Sequence, residues 1–404
     1  MRLVYVLHEP LPSEPTSTEQ VVKAAAAMAR LGEEVVVTTP RVALSGGASR
    51  RDAGKEVEVP AEIAAFYGLE ELHGERRPRL VALPAPWIVG PALGKPWHDA
   101  RAVLYARKTL ADVVYVRDPI PLALALRSGR PVVFETYRFD LNTRWAWAPW
   151  RAACYGHPRL LGVVTHSGLA RESFLARGFA PERVLVAHNG YDPPPGRVPD
   201  RDASRRDLNM PADAPVVVYA GGVSPEKGLD ALFSMAPALP DVHFLVVGHV
   251  PGSRGAGWFR AEVEGAGLDN VRMIPRVGPG EVLRYLAAAD VLYIPTTAAP
   301  LRKSGRTVLP MKTFQYLGAG RPIVGPDLPD LREVLESGRN ALLVPPDDPK
   351  EAVAAIRRIL SDADLARRLG QEATRTAQEH SWSARARRIR DFIRARLADI
   401  REGA

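Results

Sequence analysis

The sequence predicts an α/β protein of two doubly wound, Rossmann-like domains facing across a cleft. Three observations predict it. Short β-branched runs bounded by Gly, Pro, Asn or Asp recur along the whole chain, with segments between most of them that place apolar residues three and four apart. That alternation specifies βαβ units on buried parallel sheets. With 404 residues the chain is long enough for two such domains. One stretch, residues 189–215 (NGYDPPPGRVPDRDASRRDLNMPADAP), is rich in Pro, Asp and Arg and keeps no apolar period, so it reads as a linker.

Taken in order, RLVYVL (2–7), EVVVTT (34–39), RLVALP (79–84), DVVYV (112–116), PVVFE (131–135), LLGVVTH (160–166) and RVLVAHNG (183–190) read as strands of the first domain. Between the first two lies a helix for which Thr16 or Ser17 serves as N-cap and Gln20 takes the capping-box position. Residues 143–157 carry Trp145, Trp147 and Trp150 among arginines, a pattern that suits packing under the domain, stacking on sugars, or contact with a lipid acceptor. His166 and His188 end strands, where a histidine serves either a ligand or the fold. The boundaries implied are 1–195 for this domain, 196–214 for the linker, 215–380 for the second domain and 381–404 for a terminal helix.

In the second domain PVVVYAGG (215–222), VHFLVVG (242–248), NVRMIP (270–275), DVLYIP (290–295), RPIVGP (321–326) and ALLVPP (341–346) continue the pattern. The first strand runs into a turn holding Gly221 and Gly222, then a helix starting near Pro225, Glu226 and Lys227. Such a turn lets backbone approach a ligand, and a helix start beside a lysine suits an anion. The spacing is not that of a Walker A loop. LPMKTFQYLGAGRPIV (309–324) repeats the arrangement: Pro310 at the first helical position leaves the amides of Met311 and Lys312 pointing outward, with Arg302, Lys303 and Arg306 just upstream. The last segment, HSWSARARRIRDFIRARLADIREGA, sets Ile389, Phe392, Ile393, Leu397 and Ile400 on one helical face and seven arginines elsewhere. It fits a helix packing back across the domains; a basic amphipathic helix also suits peripheral contact with a membrane.

Composition bounds the rest. The chain is 46% hydrophobic and 25% charged, with no apolar run long enough to span a bilayer, and its N-terminus reads as a first strand rather than a signal peptide. Cys154 is the sole cysteine, which excludes an intrachain disulfide or a cysteine metal cluster and points to a cytoplasmic protein, with the inner membrane face as the place of any peripheral contact. The net charge of +8 comes with no nucleic-acid-binding motif, so no nucleic acid is expected as partner.

Residues 311–352, MKTFQYLGAGRPIVGPDLPDLREVLESGRNALLVPPDDPKEA, resemble the C-terminal signature of family-4 retaining glycosyltransferases with the GT-B fold. YAGGVSPEKGLDAL, HFLVVGH, VRMIPRV, YLAAADVLYIP and HSWSARA fit in order, as do DVVYVRDP, PVVFETYRFD, VVTHSGLARESF and VLVAHNGYD in the first half. The resemblance implies a nucleotide-sugar donor in the second domain and an acceptor mainly in the first. Lys227 and, at the second helix start, Lys312 with Pro310 and Met311 would meet the diphosphate beside Gly221 and Gly222. Gln315 would fall at the ribose, and Ile274, Arg276 and Val277 would border the base, with Arg306, just upstream, joining the donor side by its charge. Tyr137 would stand beside the transferring sugar, with Thr16, Ser17, Arg138 and His166 on the acceptor side. Neither cofactor nor metal is implied, because the leaving phosphate can take the acceptor's proton.

Three residues depart from the family pattern. Gly222 stands where relatives carry an arginine, Gln315 where they carry a glutamate, and Tyr137, between Glu135 and Arg138, where they carry a histidine. Gln315 fits a donor with one free ribose hydroxyl, such as a thymidine diphosphate sugar. The implied function is metal-independent hexosyl transfer, with retained configuration, to a sugar, small metabolite or lipid. The departures also admit a nucleotide-sugar-binding protein without catalysis, or an epimerase or hydrolase. Oligomeric state is left open.

Overall fold

Strand by strand, the β-branched runs pair in parallel. The computed structural model describes residues 1–13, 15–41, 54–69, 77–83, 91–137, 153–192, 199–304 and 309–402. It divides into one unit of Met1–Asn189 with Trp382–Ala404, and another of Gly190–Ser381.

The first unit is built on β1 (Arg2–Val6), β2 (Glu34–Thr39), β3 (Glu56–Glu58), β4 (Arg79–Ala82), β5 (Val113–Val116), β6 (Val132–Thr136), β7 (Leu160–Thr165) and β8 (Val184–Val186). Their order is β3-β4-β2-β1-β5-β6-β7-β8, parallel throughout except β3, which runs antiparallel to β4 at the edge. The sequence does not predict β3, because Glu-Val-Glu offers no apolar run. Helices α1 (Thr16–Arg30), α2 (Ala61–Phe66), α3 (Pro91–Lys108), α4 (Pro119–Arg127) and α5 (Gly168–Leu175) complete the chain's first passage. Side chains alternate across the sheet with period two. Val4, Val114, Val116, Val132 and Phe134 face Val103 and Ala106 of α3 and Leu122 and Leu126 of α4. Tyr5 and Tyr115 belong to the opposite face and stack at 4.4 Å between ring centroids. By the same alternation Glu135, next to Phe134, shares their face.

The second unit contains α6 (Arg201–Asp207), β9 (Val216–Ala220), α7 (Leu232–Ala238), β10 (His243–His249), α8 (Arg254–Gly265), β11 (Val271–Pro275), α9 (Pro279–Ala288), β12 (Val291–Tyr293), α10 (Ala299–Ser304), α11 (Met311–Ala319), β13 (Ile323–Pro326), β14 (Leu342–Val344), α12 (Pro349–Ser361) and α13 (Ala363–Glu379). The sheet order is β11-β10-β9-β12-β13-β14, with every pairing parallel. Val217, Tyr219, Phe244, Val246, Val291 and Tyr293 pack to one side, and Val216, Val218, Leu245, Val247, Leu292 and Ile294 to the other. A strand buried on both faces needs such continuous apolar runs.

Three expectations are corrected. Part of the stretch read as linker is α6, capped by Asp200 and held by the buried Arg205. After the Gly221–Gly222 turn the chain makes 3₁₀ turns at Pro225–Lys227 and Leu229–Ala231, and α7 starts only at Leu232. Pro310 precedes α11 rather than opening it, with φ −73° and ψ 143°. The terminal helix α14 (Trp382–Glu402) packs on α1 and β7, so it is part of the first unit; Ile389 and Ile393 are buried, and Phe392, Leu397 and Ile400 half-buried.

Both sheets reverse their winding beside a central strand: β1 lies between β2 and β5, and β9 between β10 and β12. In open α/β sheets the carboxyl ends of strands at such a reversal open a crevice for ligands.

Candidate functional site

In the second unit the reversal brings two lysines to the end of β9. Lys312, on the first turn of α11, sets its amine 3.7 Å from the centre of the Tyr219 ring. The ring is fixed in turn, since the Tyr219 hydroxyl donates to the Gly222 carbonyl at 2.7 Å. Gly221 adopts φ +148°, and a Cβ there would stand 2.8 Å from the Lys312 Nζ. Gly248, at φ +116°, lies so close that its Cβ would stand 2.7 Å from the Gly221 carbonyl oxygen. Glycine is therefore favoured at both strand ends by conformation, and at Gly248 also by the backbone that crowds it. Tyr316 ties α11 to the sheet, its hydroxyl accepting from the Ala220 amide at 2.7 Å.

Burial, and after it the charge of Lys227, push the Lys312 pKa well below its ordinary value. Lys227 itself is exposed on its 3₁₀ turn. Among the described residues neither lysine forms an ion pair with a carboxylate. Two lysines without a carboxylate partner among the described residues, beside a glycine turn and a helix start, suit an anion, whose charge would favour the protonated amines.

The other residues assigned to this site fall around it unequally. At the start of α11 the Thr313 amide returns to the Pro310 carbonyl at 3.1 Å, leaving Met311 and Lys312 as the first two amides of the turn. Gln315 is half-buried one turn on. Ile274 is buried at the end of edge strand β11, Val277 packs on the core, and the Arg276 amide donates to the His249 carbonyl at 2.9 Å. This segment lies two strand spacings from β9, about 10 Å, the reach from a diphosphate to its base. Arg302 forms an exposed ion pair with Asp347. Arg306 lies outside the described residues, as does the side chain of Lys303.

In the first unit the reversal opens a pocket of about 270 Å³, lined by Val6 at the end of β1 and Leu7, His8 and Glu9 after it, Ser17 and Val21 of α1, Lys95 of α3, Arg117 and Asp118 after β5, and Thr136 at the end of β6 with Tyr137 after it. Tyr137 and Ser17, assigned from the sequence to the sugar and acceptor side, both line this pocket. Thr16 is exposed. Neither Thr16 nor Ser17 caps the helix: Pro15 holds that position without a side-chain bond, and Gln20 instead accepts from Arg117 at 2.6 Å. Arg138 and the tryptophans of 143–157 lie outside the described residues.

His166 does not line this pocket. It is buried against Glu135, Nε2 to carboxylate 2.8 Å, with its ring centroid 6.3 Å from that of Tyr137. Burial lowers its pKa to about 4 despite that carboxylate. Glu135 is the hub of a network closed by Arg385 at 2.9 Å, Arg117 at 3.4 Å and the Tyr115 hydroxyl. Burial alone would raise its pKa, but Arg385, then Arg117 and His166, hold it well below the carboxylate range. The network fixes Arg117, which also donates to the Ser17 carbonyl at 2.8 Å, and so shapes the pocket wall. His188, after β8, is half-buried.

Sequence reasoning missed His8, Glu9, Lys95, Arg117 and Asp118. The signal was present, because HEP follows the first predicted strand and RDP the fourth, and only their adjacency in the sheet was hidden. Among the described residues no group of three His, Cys, Asp or Glu side chains is disposed to hold a metal ion, and no helix is long and apolar enough to cross a membrane.

Comparison with known proteins agrees with this fold. Residues 18–194 match the family described as Glycosyltransferase Family 4, and residues 214–362 match Glycosyl transferases group 1. A D-inositol 3-phosphate glycosyltransferase of a Nocardioides species is 31% identical over 239 residues, covering 55% of this chain and 50% of that protein. Its namesake in Thermobispora bispora is 28% identical over 242 residues, 57% of this chain and 55% of that one. The chain spans about half the length of these curated relatives. Among solved structures, the sucrose-phosphate synthase of Thermosynechococcus elongatus superposes with a TM-score of 0.72 at 19% identity, over 98% of this chain and 99% of that one. Anabaena HepE in complex with UDP-glucose gives 0.71 at 17% identity, over 98% and 100%. At such identities the likeness is one of fold.

Proposed function

The chain is a family-4-like glycosyltransferase with the GT-B fold, and from that premise we propose that it moves a hexosyl group from a nucleoside diphosphate sugar to a hydroxyl acceptor with retained anomeric configuration and without a metal. The observation that carries this reading is the pair Lys227 and Lys312 at the Gly221–Gly222 turn, cations with no carboxylate partner among the described residues.

In this reaction the bond from the anomeric carbon to the diphosphate oxygen breaks while a bond to the acceptor oxygen forms on the same face. The acceptor's proton passes to the departing phosphate oxygen. Negative charge grows on the diphosphate as the sugar takes on oxocarbenium character, so fixed cations and amides aimed at that charge lower the barrier. Lys227, Lys312 and the first amides of α11 take this role, and the lysines supply the charge a metal would otherwise bring. The end of β11, Ile274 to Val277, borders the base, and Gln315 meets the ribose. Tyr137 and Ser17 belong to the acceptor side.

The test is thermal unfolding against a panel of nucleoside diphosphates and their sugars. A ligand that binds only the folded chain at about a hundred times its Kd adds about 2.7 kcal/mol, a shift of several degrees. Lys227→Ala should weaken it at least tenfold. No shift with any nucleotide would sink the reading, and equal shifts with uridine and thymidine diphosphates would sink the single-hydroxyl role of Gln315. With a donor in hand, NMR of the product's anomeric proton should report retained configuration and turnover only when acceptor is added.

A further inference from the structure

Among the described residues, the pocket at the carboxyl ends of β1, β5 and β6 has its cations engaged and one lining carboxylate, Asp118, in reserve. Lys95 reaches Glu9 at 2.6 Å. Arg117 is divided between the Ser17 carbonyl, Gln20 and Glu135. The His8 ring stands among three carboxylates, Nδ1 3.8 Å from Asp99, Nε2 3.6 Å from Asp118 and 3.8 Å from Glu9. Asp118 lines the pocket with its side chain 43% exposed, and among the described residues His8 is its one ion-pair neighbour. Asp99 backs this wall at 2% exposure, with Oδ1 lacking any hydrogen-bond partner and turned toward His8. Burial, and next the charge of Asp118, raise the Asp99 pKa to about 7, more than the charge of Lys95 lowers it.

A ligand entering this pocket meets acceptors that call for donors. Hydroxyl groups supply them and can bridge Asp118 to His8. A phosphate supplies only acceptors and negative charge, and would have to lie beside Asp118 and Glu9 with Lys95 and Arg117 already engaged. Resting on the glycosyltransferase reading, we propose that the acceptor bound here is an unphosphorylated polyol, a cyclitol or free sugar whose hydroxyls donate to Asp118 and His8, with the buried Asp99 carboxyl behind the His8 ring. This chain then differs at its acceptor from the curated relatives, whose name contains an inositol phosphate.

The experiment compares matched pairs on the full chain, with the donor chosen by thermal shift: inositol against inositol 3-phosphate, and glucose against glucose 6-phosphate. Binding is read by saturation-transfer NMR and turnover by release of nucleoside diphosphate. The expected result is at least a tenfold preference for the free polyol of a pair. Asp118→Asn should raise the KM for that polyol at least tenfold and narrow the preference, while the nucleotide-induced thermal shift stays as in the wild type. A preference for the phosphorylated member, failure to bind any polyol of the set, or an unchanged KM in Asp118→Asn overturns the proposal. Absence of any nucleotide shift in the wild type would instead sink the glycosyltransferase reading beneath it.

Discussion

Lys312 shows what one residue gains and loses by its place. Its amine, tucked over Tyr219 and near Lys227, has a pKa far below the ordinary 10.5. A bound diphosphate favours the charged form and must draw that pKa back up. Between the depressed value and 10.5 the complex then holds more protons than the free protein, so affinity should fall as pH rises through that window. Calorimetry of nucleoside diphosphate binding at about pH 8, in buffers of different ionisation enthalpy, should detect proton uptake on binding. Lys312→Met should abolish both the uptake and most of the affinity, and uptake unchanged in that variant would remove Lys312 from the site. At this scale the sequence was partly legible. Lys227 and Lys312 could be singled out because each follows a strand-and-turn signal in the same stretch of chain. Glu135 could not, because its partners come from β5, β7 and a helix some 250 residues away.

The elements were the most legible scale, since a strand buried on both faces writes itself as a continuous apolar run. Each predicted run contains a strand, and the one strand missed among the described residues, β3, is a charged three-residue edge. Helix α6 was missed for another reason: its RDASRRD sequence has no apolar face. It is held by charge instead. Buried Arg205 donates to the carbonyls of Ala288, Ala212 and Ala214 at 2.9, 2.6 and 2.9 Å and pairs with Asp290 at 2.7 Å. Asp290 also accepts from the Val216 amide at the start of β9. Arg205→Met leaves those buried acceptors unsatisfied, and breaking such a pair costs about 3–5 kcal/mol. Hydrogen exchange should show β9 and β12 losing protection by a corresponding factor, with β1 and β5 unaffected. Protection unchanged in β9 would mean that α6 contributes nothing to the second sheet.

The whole molecule holds the one relation no local pattern could give. The chain leaves the first unit at Asn189 and returns to it at Trp382. The apolar stripe of α14 was readable, but its target was not, because the decisive contact is a buried charge: Arg385 enters the face of the sheet where Glu135 lies with Tyr5 and Tyr115. Truncation after Ser381 therefore acts on the far end of the chain. Glu135 loses its strongest partner, a cost of about 3–5 kcal/mol, and losing the burial that Trp382, Ile389 and Ile393 supply removes about 1.5–3 kcal/mol for each deleted side chain. That sum matches the entire stability of an ordinary domain, about 5–15 kcal/mol. The truncated chain should lose the calorimetric transition of its first unit and all polyol binding, yet keep a nucleotide-induced shift in the second, where Lys227 and Lys312 reside. Arg385→Met in the full chain should fall between, lowering the first transition alone. Retention of both transitions after truncation would show that α14 is an appendage, and that Glu135 is sufficiently held by Arg117 and His166.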